Sequence, residues 1–233
     1  MEQTLKITNV FSDPTRFHIY QYLLQNQETP VTVLNIAEKF DIHPNVARLH
    51  LSKLEEIDVV TSYYEKTGRG GRPSKLYQLS DNVIELNFPH RDYKLLSSIA
   101  IETLAELGDV GKKALYKTGS KYGKQIIDRS LHKTSPSDLT VEQKIDLLEE
   151  ASTMLGMYPD FIYDDETKSI RFQIKNCPFK EVTAENRTMI CQMHTSFIKG
   201  MFDELFDDIE LIELENMFDG CSSCKYVAKL SVV

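Results

Sequence analysis

No run of about 18 apolar residues occurs in the sequence, so no segment is expected to span a membrane as a helix. The opening residues Met1-Glu2-Gln3-Thr4-Leu5-Lys6 carry no apolar core behind basic residues, so no secretory leader is expected. A cytoplasmic location follows as the expectation. Surplus positive charge is also missing. The formal net charge is −8, which argues against indiscriminate nucleic-acid binding. The phosphate-cradling patterns GxGxxG and GxxxxGK[ST] are absent, as are HExxH and a Ser-His-Asp arrangement, so neither a nucleotide-dependent nor a hydrolytic enzyme is expected. Cysteine is scarce, with four residues in 233.

The composition is that of an ordinary globular protein, 41% hydrophobic and 27% charged, with chain enough for one or two domains. Its charge is uneven. Residues 1–80 carry nine Lys/Arg against nine Asp/Glu, and the other 153 residues carry 18 against 26, the whole surplus of −8. The first part is thus the one that can approach DNA, helped by local basic patches and by dimerisation.

Residues 11–80 read as three helices and a hairpin. Ser12 or Asp13 caps the first helix, with Pro14 in its first turn, where a missing N–H costs little. Phe17, Ile19, Tyr20, Leu23 and Leu24 form its apolar stripe. Val33, Ile36, Ala37 and Phe40 mark a second, short helix; Asp41-Ile42-His43 turns; and Pro44 begins a third that runs to about Ile57. On that helix Ala47, Leu51 and Leu54 form a seam to be buried, and Asn45, Arg48 and Ser52 face the other way. Asparagine pairs with adenine edges and arginine forks onto guanine, so this face suits a recognition helix. His43, His50 and Lys53 are expected beside phosphates.

Val59 to Tyr64 and Lys75 to Leu79 alternate as strands. Between them lies Lys66-Thr67-Gly68-Arg69-Gly70-Gly71-Arg72-Pro73-Ser74-Lys75. This tip carries four positive charges (Lys66, Arg69, Arg72 and Lys75), no acid and three glycines. It is the wing expected to touch phosphates or a narrow minor groove. Three segments carry a resemblance: Asp13-Pro14-Thr15-Arg16, the run from His43 to Glu55, and the Gly-Arg-Gly-Gly-Arg-Pro wing. Together they resemble the winged-helix region of ArsR/DeoR-type bacterial repressors. Leu49 departs from the pattern, since many relatives carry a basic residue there. The resemblance covers about a third of the chain and implies a double-stranded DNA operator as partner.

Residues 91–157 read as helical: a run through Leu95, Leu96, Ile99, Leu104 and Leu107, another from Ala114 to Leu131, and a third from Val141 to Met157. A long helix after the wing is a natural contact for a homodimer on symmetric half-sites. From Phe161 the period shortens. Phe161 to Ile174 forms a hairpin, a helix runs from about Ala184 to Phe206, and strands are expected at Ile209–Glu213 and Lys225–Leu230. The fold class is therefore α+β: a winged helix-turn-helix over 1–82, a helical linker or dimerisation region over 91–157, and a small α+β sensor domain over 158–233.

All four cysteines, Cys177, Cys191, Cys221 and Cys224, lie in the last 57 residues. Independent scattering would do this about once in 280 trials, from (57/233)⁴. Reducing cytoplasm disfavours disulfides, leaving metal ligation, a thiol redox switch or inert burial. The spacing C-x13-C-x29-C-x2-C is neither a zinc ribbon nor a ferredoxin run. Asn176-Cys177-Pro178-Phe179 resembles the C-terminal region of the SufR family of iron–sulfur winged-helix repressors. So do Ile190-Cys191-Gln192-Met193-His194 with Phe197-Ile198-Lys199-Gly200, and Cys224-Lys225-Tyr226. The resemblance implies a [4Fe-4S] or [2Fe-2S] cluster held by Cys177, Cys191 and Cys224, with Cys221 or His194 as fourth ligand, and control of cluster-assembly or redox- and iron-responsive genes. The alternative is a winged-helix regulator that senses a small ligand, with the same cysteines holding structural zinc.

Overall fold

The computed structural model describes residues 2–27, 29–65, 73–84, 86, 89, 91–131 and 134–230, and divides into two compact units, 1–91 and 92–233. In the first unit α1 (Glu2–Phe11) precedes α2 (Pro14–Gln25). Asp13 caps α2 by accepting from the Arg16 amide at 2.8 Å. Thr32 and Asn35 form a reciprocal capping box that starts α3 (Val33–Lys39), two orphan amides being satisfied at once. Asp41 then takes φ 50°, a left-handed turn that aspartate tolerates, and α4 (Pro44–Glu55) follows. Strands β1 (Val31–Thr32), β2 (Val60–Glu65) and β3 (Ser74–Leu79) pair antiparallel in the order β1-β3-β2 among the described residues. The hairpin runs from Val60↔Leu79 to Glu65↔Ser74.

The core of this unit is Ile7 and Val10 from α1, Ile19 and Leu23 from α2, Ile36 from α3, Ala47, Leu51 and Leu54 from α4, and Tyr77 from β3. The expected seam of α4 is thus buried. Helix α1 is an addition to the sequence reading. Ile7 and Val10 stand one turn apart and seat it on the core, a signal too short to read without its partner surface.

In the second unit α5 (Tyr93–Glu106), α6 (Gly108–Ser130) and α7 (Val141–Met154) precede β4 (Pro159–Asp164) and β5 (Ser169–Ile174). Helix α8 (Thr183–Leu205) bends at Asn186, and β6 (Ile209–Glu215) and β7 (Cys224–Leu230) complete an antiparallel sheet of order β4-β5-β7-β6. The helices over 91–157 are therefore not a body of their own: α6 and α7 share one core with the sheet, through Ile127, Leu148, Phe172, Phe202 and Tyr226. Phe172 stacks on Phe161, Phe202 and Tyr226 with centroids 5.0–5.3 Å apart, tying α8 to the sheet.

Two glycines set how closely α6 and α8 pack. A Cβ on Gly123 would stand 2.0 Å from the Phe197 carbonyl oxygen, and one on Gly200 2.1 Å from that of Ser120. No side chain fits at either place. Helix α5 differs from its neighbours, burying none of its residues and leaving Tyr93, Leu96 and Ile99 exposed, with Leu107 and Val110 beyond its end.

Candidate DNA interface and cysteine cluster

On α4 the side chains of Asn45 and Arg48 are exposed and joined, Arg48 Nη1 donating to Asn45 Oδ1 at 3.1 Å. This pre-orients a guanidinium and an amide on one face, Ser52 standing half-buried farther along it. His43 serves the helix itself, its Nδ1 accepting from the Asn45 amide at 3.2 Å as N-cap, while the ring stays exposed. Lys53 is paired with Glu56 at 2.9 Å, and Lys75 with Glu55 at 3.1 Å while lying over the Tyr77 ring. Neither ammonium is a bare charge, each standing against a carboxylate. Burial opposes ionisation of Glu55, but the Ser62 hydroxyl and Lys75 outweigh it and hold that carboxyl below its usual range. Lys66, Arg69 and Arg72 of the wing lie outside the described residues.

His50, expected beside a phosphate, is instead 7% exposed and turned inward. Burial lowers its pKa, with Asp13 pulling the other way, and its Nδ1 has no partner. The polar character of histidine hid this, although position 50 adjoins Leu51 at the edge of the buried seam. Sequence reasoning passed over Val46 and noted Leu49 only as a departure from an expected basic residue. Both are exposed on α4, Leu49 by 54%, and an apolar side chain there suits a thymine methyl group.

In the second unit, strand pairing explains how distant cysteines meet. Ile174 pairs with Cys224, so the end of β5 and the start of β7 share one edge of the sheet, and Cys177 lies just past β5. Helix α8 crosses the same end and contributes Cys191 and His194, one turn apart. Cys177 Sγ lies 3.8 Å from His194 Nδ1. The His194 ring is 4% exposed, meets Phe179 edge-on at 5.1 Å, and leaves Nε2 without a hydrogen-bond partner. Cys224 Sγ accepts from the Met217 amide at 3.4 Å. Arg187 pairs with Asp219, a link with no signal in the sequence.

Burial, with Cys224 and Cys191 adding to it, pushes the Cys177 thiol up to about 12. Burial likewise raises the Cys224 thiol and lowers His194 to about 4. These are the shifts of groups that burial holds in their neutral forms. Cys221 is half-exposed, in the turn after Gly220. No disulfide joins these thiols, and among the described residues no three His, Cys, Asp or Glu side chains stand close enough to hold one metal ion. Among the sequence-predicted donors, Cys177 and His194 form one close pair.

Residues 11–63, from the end of α1 into β2, match the model of a family described as a helix-turn-helix domain. That match supports a DNA-binding transcriptional regulator of the winged-helix kind. No curated protein matches the chain significantly. Among solved structures, the chain is similar to the phenol-responsive sensory domain of the transcription activator PoxR with phenol. The identity is 18%, over 78% of this chain and 89% of that one, with a TM-score of 0.43. It is also similar to a trafficking protein particle complex subunit 3 from Naegleria fowleri covalently bound to palmitic acid, with 16% identity, 60% and 97% coverage, and a TM-score of 0.35. At those scores neither likeness bears on fold or function. No helix among the described residues is long and apolar enough to cross a membrane.

Proposed function

We propose that the protein is a homodimeric transcriptional repressor whose grip on a double-stranded DNA operator is set by an iron–sulfur cluster at the cysteine end of the second unit. The observation that carries this reading is the convergence of Cys177, Cys191, Cys224 and His194 from three separated stretches onto one sheet end. The donor types suit such a group, since thiolates are soft anions that disperse charge onto iron, but among the described residues only Cys177 and His194 lie close, so holding it would require the other donors to draw in. When bound, the cluster supplies a redox- and iron-sensitive tie between its ligands.

The chain's own residues do the rest. With their sulfurs tied, the loop after β5, the middle of α8 and the start of β7 lose freedom together; untied, the same segments loosen. Asn45, Arg48 and Ser52 read base edges in the major groove, with Val46 and Leu49 as apolar partners. Lys53 and Lys75, with Lys66, Arg69 and Arg72, hold phosphates. A second copy meets the exposed apolar face of α5, where Tyr93, Leu96 and Ile99 stand three residues apart as a helix–helix seam requires. Coupling between the two ends is limited to the difference in stability between tied and untied states. Each bidentate pair between a side chain and a base edge contributes about 1–3 kcal/mol of discrimination, so misplacing one recognition helix weakens the operator complex by that much per pair.

A second reading has one observation in its favour. Three cysteines with one histidine is also a zinc set, and the protein would then be a winged-helix regulator of a small ligand with zinc as a strut. Anaerobic purification followed by iron, sulfide and zinc analysis separates the two. Brown protein with stoichiometric iron and sulfide supports the cluster, and colourless protein with one zinc per chain overturns it.

A further inference from the structure

We infer that the operator is read in part through thymine methyl groups, taken by an apolar stripe of Val46 and Leu49 beside the hydrogen-bonding residues of α4. This inference rests on the DNA-binding reading above and adds the chemical identity of bases that the helix selects. At about 100° per residue, Arg48, Ser52 and Asn45 fall on one side of the outward face, and Leu49 and Val46 on the other. Asn45 and Leu49, one turn apart, occupy its middle. The centre of the face is thus half polar and half apolar.

Neither apolar side chain serves the fold. Leu49 is 54% and Val46 40% exposed, and neither belongs to the buried core of the first unit. Their neighbours suit a polyanion with polar edges: Arg48 Nη1 donates to Asn45 Oδ1 at 3.1 Å, and Lys53 stands one turn beyond Leu49. The stripe is also short. Its continuation along the helix is Lys53 and Glu56, paired at 2.9 Å, so the apolar surface ends after one turn. A seam for a partner helix needs apolar positions repeated over several turns. Two apolar residues in the first two turns instead match the end of a recognition helix that meets base edges.

The major groove of unmodified DNA offers one apolar group, the C5 methyl of thymine. Cytosine presents an amino donor there and no methyl, and a leucine side chain would desolvate that donor without replacing its hydrogen bond. The polar half of the face has its own preferences, asparagine for adenine and arginine for guanine. A half-site is therefore expected to set thymines beside the purines that Asn45 and Arg48 contact. Leu49 and Val46 are specificity-determining residues, not passive filler between the polar ones.

The test uses the full chain, purified anaerobically, as wild type, Leu49→Ala, Leu49→Arg, Val46→Ala and Arg48→Ala. Wild type first selects a duplex from a random-sequence pool. Each thymine in that duplex is then replaced singly by deoxyuridine, which lacks the methyl and keeps every hydrogen-bonding group, and fluorescence anisotropy measures affinity. Wild type should lose about three- to fivefold at one or two thymines per half-site, the contribution of one buried methyl group. Leu49→Ala and Val46→Ala should each bind the thymine and uracil duplexes equally at one of those positions, with unfolding midpoints unchanged. Leu49→Arg should move preference there toward guanine. Arg48→Ala should keep the methyl sensitivity while losing guanine discrimination. Equal binding of thymine and uracil duplexes by wild type at every position overturns the inference, as does full methyl sensitivity in both alanine variants; either result leaves sequence-specific DNA binding intact. If wild type enriches no sequence from the pool, the DNA-binding reading falls as well.

Discussion

The two units place their chemistry by different means. In the first, one helix carries the chemistry: the seam Ala47, Leu51 and Leu54 goes down, and Asn45 and Arg48 go up, because a helix turns by 3.6 residues. In the second, Cys177 and Cys224 are 47 residues apart, the difference of their numbers, and share one end of the sheet because β5 and β7 pair with Ile174 opposite Cys224. A local site survives as long as its helix does, whereas a convergent site depends on every element that brings its parts together.

Changes to packing should therefore act most strongly on the second unit. Gly123→Val would drive a Cβ into the Phe197 carbonyl and force α6 from α8, the helix that carries Cys191 and His194. The expected cost is about 3 kcal/mol or more, read from denaturant unfolding followed in the second unit, with the first left near its wild-type stability. Next in size, Leu96→Glu with Ile99→Glu places charge in the exposed stripe of α5. These side chains are already solvated within the chain, so the fold should hold while like charges facing each other across the seam weaken the dimer about 100-fold in analytical ultracentrifugation. Unchanged association would remove α5 from the interface.

On the first unit, Arg48→Ala should cost about 1–3 kcal/mol of operator affinity and relax base preference at the base pair it reads, with stability unchanged, because the side chain is exposed. A fluorescence-anisotropy titration against operator variants measures it. The smallest effect concerns His50. Its folded pKa lies below the ordinary 6.5, so between the two values the unfolded chain binds more protons, and stability falls as pH drops through that window. Above about pH 6.5 the contribution is complete. His50→Gln should flatten this slope in the denaturant midpoint of the first unit.

Much of the first unit was legible in the sequence because its signals are local: Asp13-Pro14, Pro44 and the strand alternation each mark an element from within, whereas the Thr32 capping box emerged only in the structure. Helix α1 was not, since its two inward residues have meaning only against α2. His50 misled because a histidine's polarity speaks of exposure and its position speaks of burial. In the second unit the elements were legible and their assembly was not. The sequence showed helices over 91–157 but not that α6 would lie against α8, a fact written in Gly123 and Gly200 and visible only once both helices are in place. The cysteine clustering was visible as a statistic. The closeness of Cys177 to His194 depends on strand register and on the α8 face, which spacing does not encode.

Everything turns on whether the cysteine end of the second unit speaks to α4 of the first. The most direct test is operator affinity of a single anaerobic preparation, measured with its metal group in place and again after chelation. A loss of about tenfold or more on stripping, about 1.4 kcal/mol, is expected. Equal affinity in the two states, with loading verified by iron and sulfide content, would contradict it.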